Sequence, residues 1–100
     1  MQEFLYKLQL VRGDMLRMGM SEQEQAVVAE HFAYLSDLTA KGAIILVGRT
    51  LTTDENTMGL TIFRAESEAD AHEIMNGDPA VKKGVMTATL YPFKVVLQGK

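Results

Sequence analysis

A histidine stands in the middle of an apolar helical pattern at residues 29–38, AEHFAYLSDL. At about 100° per residue, Val27, Val28, Tyr34, Leu35 and Leu38 project within about 60° of His31, while Ala26, Ala29, Ala33, Ser36 and Asp37 lie opposite. His31 therefore points at whatever this helix packs on. Imidazole is the side chain that titrates nearest neutrality, so the position suits a general base or acid. A core histidine kept neutral by one hydrogen bond to a backbone carbonyl fits it equally well. Burial lowers the pKa of an imidazole and a neighbouring carboxylate raises it, so a base benefits from an acidic partner.

Asp78, in the stretch NGDPAVKKG, follows a second helical segment and is the candidate partner. Asp before Pro also reads as the N-cap of a short turn with Pro79 at the first helical position. The two roles are compatible. Arg49 ends an apolar run, where a guanidinium can clamp a carboxylate or phenolate through two hydrogen bonds. A solvated or salt-bridged strand end is the plainer alternative. Tyr34 and Tyr6 can offer hydroxyls to a pocket, although an aromatic in a small core is mostly packing. His72 falls away from the apolar direction of its own helix and reads as solvated.

Other chemistries lack support. There is no cysteine, which excludes disulfides, thiolate nucleophiles and thiolate-bound zinc. Neither HxH nor HExxH spacing occurs and no glycine-rich loop follows a strand, so neither a metal nor another cofactor is expected. The net charge of -3 argues against a nucleic-acid partner. No apolar run approaches the roughly 18 to 20 residues that cross a bilayer. No basic segment followed by an apolar one opens the chain, and a cytoplasmic protein away from membranes is expected. The tripeptide Arg12-Gly13-Asp14 is then chance.

The elements that must position these residues follow from periodicity and punctuation. One hundred residues, 47% hydrophobic and 23% charged, make one domain spanning 1–100. Residues 3–11 alternate as a half-buried strand. Residues 12–20 have no period and read as a methionine-rich loop, with Met15, Leu16, Met18 and Met20 forming a lid, a dimer contact or plain surface. Ser21 and Glu24 are spaced as a capping box, opening a helix that runs to about Lys41 and stops at Gly42. Residues 43–50 form an apolar run, expected as a strand buried on both faces. A strand at 60–65, a second helix from Ser67 to about Asn76 closed by Gly77, and a strand at 85–97 complete the chain. Pro92 places that last strand at an edge or bulge.

The order βαββαβ predicts an α+β, ferredoxin-like fold, an antiparallel sheet with two helices on one face. Helices on one side cannot bury all of Ile44, Ile45, Leu46 and Val47. A second copy packed sheet to sheet is the simplest cover, and a homodimer is expected.

His31 with Tyr34-Leu35, then Gly48-Arg49, Gly59, Ser67, Ala71, Asp78-Pro79, Gly84 and Pro92-Phe93, resembles the YciI-like (YCII-related) domain family over nearly the whole chain. The resemblance implies a dimeric α/β barrel and a His-Asp pair, His31 and Asp78, lining a small cleft. Arg49 departs from it, standing where many members carry proline. One relative is a dehydrochlorinase, and muconolactone isomerases share the architecture. The expected function is acid/base elimination or isomerisation, without cofactor, of a small anionic or hydroxylated molecule. His31 moves the proton, Asp78 holds its tautomer, and Arg49, Tyr34 and Tyr6 contact substrate. A non-catalytic small-ligand module and a structural dimer with a polar pair in its core remain as alternatives.

Overall fold

The structure, a computed structural model, describes residues 1–12 and 15–99, and for residues 16 and 17 the backbone alone. Its elements are β1 (Gln2–Leu10), α1 (Met15–Met18), α2 (Glu22–Ala40), β2 (Ile44–Arg49), β3 (Met58–Ala65), α3 (Glu68–Gly77), α4 (Pro79–Lys82) and β4 (Met86–Phe93). The four strands form one sheet in the order β2-β3-β1-β4, every neighbouring pair antiparallel. This is the expected ferredoxin-like α+β arrangement, with the helices on one face. Among the described residues, no helix is long and apolar enough to cross a membrane.

Local signals explain most boundaries. Ser21 accepts from the Glu24 N–H at 3.1 Å, and the Glu24 carboxylate accepts from the Ser21 N–H at 2.8 Å. The capping box therefore satisfies two donors at the start of α2. The Arg12 guanidinium, 2.7 Å from Glu24, helps hold that carboxyl below its usual range. Gly42 ends the helix in the left-handed region at φ +82°. Gly77 behaves otherwise. It lies within α3, and a Cβ there would stand 3.0 Å from the Tyr34 hydroxyl, so a larger residue would have to push Tyr34 back by a few tenths of an ångström.

Alternation in β1 buries Phe4, Tyr6 and Leu8 under the helices, where they join Leu35, Ile44, Phe63, Ala65, Ala71 and Met75 in the main core. The register places Leu5 opposite Ile62 and Tyr91, and Leu46 opposite Ile62, on the helix-free face.

Three expectations need correction. The run at 43–50 is an edge strand rather than a doubly buried one: only Ile44 is buried, while Leu46 and Val47 are 47% and 45% exposed. The last strand ends at Phe93, and Val96 and Leu97 are exposed beyond it. Finally, the segment 12–20 contains the single turn α1, which drives Met15 into a second core cluster with Val27, Ala80 and Val85. Gly13, Asp14 and the Leu16 side chain lie outside the described residues.

Removing the Ser21 hydroxyl tests the local account of α2. Ser21→Ala should cost about 1 kcal/mol of stability, read as a lower urea midpoint with an unchanged denaturant slope.

Candidate functional site

Asp78 ends α3 and begins α4. Its extended backbone (φ -63°, ψ 123°) caps the short helix, Pro79 supplies the first turn, and its Oδ1 accepts from the Ala80 N–H at 3.0 Å. The cap reading of the Asp-Pro dipeptide is thus correct. It occupies only part of the carboxylate, which is completely buried. The His31 Nδ1 lies 2.7 Å from Oδ1 and 2.9 Å from Oδ2, and the Tyr6 hydroxyl donates to Oδ2 at 2.8 Å. One carboxylate therefore gathers donors from β1, α2 and α4. Facing an acceptor, Nδ1 is the ring nitrogen that donates to Asp78, and Nε2 is the one not engaged by it.

Tyr6 sits at the centre of the sheet, fully buried, its ring edge-on to Phe63 at 5.5 Å. Burial, and then the charge of Asp78, push its phenol far above the ordinary range, so it remains a donor. Tyr34 is shifted the same way by the same causes, and its hydroxyl donates to the Ile74 carbonyl at 2.7 Å, joining α2 to α3.

His31 is the link between this buried junction and open space. Its side chain is 13% exposed, at the wall of a cavity of about 520 Å³. The volume lies within the roughly 300–1,000 Å³ of small-molecule sites. Val28, His31, Phe32 and Leu35 of α2 form one wall, and Leu8, Val47, Arg49, Gly59 and Thr61 of the sheet form the facing one. Met20, Met58 and Met86 add adaptable apolar surface. Among the described residues, no carboxylate lines the cavity. Arg49 is exposed at its rim, its guanidinium making, among the described residues, a long contact of 3.4 Å to the Thr50 carbonyl.

The sequence-derived site residues therefore separate. His31, Asp78 and Tyr6 meet; Arg49 shares the cavity with His31; Tyr34 stands apart. Neither tyrosine lines the cavity expected to hold a substrate: their hydroxyls donate to Asp78 and to the α3 backbone. His72 is exposed, as its helical phase implies. Among the described residues, no three His, Asp or Glu side chains gather as a metal site. Sequence reasoning missed Phe32, Gly59 and Thr61. The alternation of β3 could have placed the last two on one face, but only the register with Tyr6 and Leu8 brings them to the cavity.

Comparison with known proteins decides the family. The YCII-related domain matches residues 7–94. The chain belongs to that family. Among solved structures, it is similar to the 5-chloro-2-hydroxyhydroquinone dehydrochlorinase TftG from Burkholderia phenoliruptrix AC1100, in complex with 2,5-dihydroxybenzoquinone. That likeness has 25% identity, covers 91% of this chain and 93% of the other, and has a TM-score of 0.65. It also resembles SnoaB, a cofactor-independent oxygenase from Streptomyces nogalater, at 7% identity over 98% of this chain and 97% of the other, with a TM-score of 0.53. The second likeness is one of fold alone. Among curated proteins, none matches.

Two measurements follow from the junction. The folded-state pKa of Tyr6 is raised, so its contribution to stability is complete below the unfolded value of about 10 and is lost as pH rises beyond it. Tyr6→Phe should flatten the loss of stability between about pH 9 and 11 in urea unfolding; an unchanged slope would contradict a buried phenol. Tyr34→Phe should cost about 1 kcal/mol by the same assay and leave ligand binding at the cavity intact.

Proposed function

We propose that this protein is a cofactor-independent enzyme that moves protons on a small anionic or hydroxylated organic molecule. One observation carries the reading. A histidine at the wall of a ligand-sized cavity has one ring nitrogen engaged by a fully buried carboxylate, so the other is available to a bound molecule. His31 Nε2 takes a proton from an acidic carbon or hydroxyl of the substrate. Asp78 holds the tautomer and stabilises the imidazolium that forms. Arg49 draws the anionic end of the substrate to the rim, in a cavity with no acid among its described lining residues to repel it. The negative charge left behind then expels a leaving group, or the proton returns at a second carbon. These steps are elimination and isomerisation. TftG, similar over nine-tenths of the chain, acts on a chlorinated hydroxyhydroquinone, which supports the first of the two.

The same reading includes a homodimer through the helix-free face of the sheet. Leu5, Leu46 and Ile62 lie on that face with Tyr91 and Phe93, and an apolar surface of this kind is stabilised by a second copy.

The test uses 5-chloro-2-hydroxyhydroquinone with chloride release as the readout, and exchange of acidic hydrogens in deuterated water for substrates lacking a leaving group. Wild type should turn over or exchange. His31→Gln should lose at least about 100-fold, and Asp78→Asn should lose rate while retaining ligand binding. Ligands that saturate the wild-type cavity with neither turnover nor exchange would make the protein a binding module instead.

A further inference from the structure

The middle of the cavity floor lacks a side chain. Across the sheet, Arg49 pairs with Gly59 and Gly59 with Leu8, so the three stand in one row on the helix-covered face, and all three line the cavity. The row thus offers a cation, then bare backbone, then an apolar side chain. His31 and Phe32 of α2 form the opposite wall.

Nothing local requires a glycine at that position. Gly59 is not among the glycines with positive φ, and a Cβ built on it would meet the Gly48 carbonyl oxygen at 3.6 Å and Leu8 at 3.8 and 4.0 Å, all ordinary contacts. A glycine inside a strand loses backbone entropy and packing, and it commonly marks close approach of a ligand or another chain. The approach here is from the cavity side.

We propose that Gly59 is the floor of a slot that selects flat, ring-sized oxyanions. The ring lies on the bare backbone beneath α2, its anionic oxygen at Arg49 and its edge toward His31. A side chain at position 59 fills the slot, and a puckered ring of equal charge meets the floor edge-on. This inference rests on the cavity being the ligand site of the proposed enzyme and adds the shape of the molecule that it accepts.

The experiment compares benzoate with cyclohexanecarboxylate, equal in charge and similar in size but different in flatness, by calorimetric titration. Wild type should bind benzoate at least about tenfold tighter. Gly59→Val should lose at least about tenfold in benzoate affinity while its melting temperature stays level or rises, because a β-branched residue suits a strand. Gly59→Ala, whose contacts start at 3.6 Å, is the gentler variant and should shift affinity in the same direction. Arg49→Gln should weaken both ligands together. Benzoate binding equally to wild type and Gly59→Val, or equal binding of the two acids by wild type, would overturn the slot and leave the acid/base reading standing. If wild type binds neither acid yet still releases chloride, the slot alone fails. If it neither binds nor turns over, both inferences fail.

Discussion

The structure depends on one buried carboxylate being fully bonded. Asp78 has no contact with solvent, and a carboxylate taken out of water carries a penalty of several kcal/mol unless its lone pairs are satisfied. It receives the Ala80 N–H, the Tyr6 hydroxyl and the His31 Nδ1. Those donors belong to α4, β1 and α2, so satisfying one group fixes three elements against each other. The constraint also selects the imidazole tautomer and aims the ring. A stability requirement and a chemical one are therefore met by the same contacts.

The cavity follows from where α2 is held and where it is not. On the α3 side, Tyr34 reaches the Ile74 carbonyl and packs against Gly77. The exposed Lys83–Glu30 pair at 2.8 Å adds a weaker tie between the end of α4 and α2. On the other side, β2 is an edge strand whose register shifts between Ile44 and Leu46, and its outer residues leave room under the helix. His31 lies between the tight flank and the open one. Arg49 stands on the far wall, at the end of β2, where its charge stays hydrated when the cavity is empty.

A ferredoxin-like sheet with helices on one face accommodates quite different chemistries, as the likeness to both a dehydrochlorinase and an oxygenase illustrates. Among the described residues, the cavity of this chain is lined by an imidazole, a guanidinium, no acid, and walls of leucine, valine, phenylalanine and methionine. Such a lining sets one cationic side chain at the rim of an otherwise largely apolar space.

The sequence by itself determined most of the elements, though not α1 or the end of β4, because their signals are written in neighbouring residues. Period-two alternation marks β1, Ser21 with Glu24 opens α2, Gly42 closes it, and Asp78-Pro79 starts α4. Helical phase likewise turned His31 toward the sheet. Tertiary structure decided everything that needs two distant segments in register. The Tyr6 hydroxyl and Asp78 are 72 residues apart, and no local spacing shows that the phenol serves the carboxylate rather than a ligand. The edge position of β2, the burial of Met15 and the alignment of Arg49, Gly59 and Leu8 arise from strand pairing and packing. Side-chain periodicity gives each strand its two faces; only pairing says which residues of different strands stand side by side, and that is where the site is made.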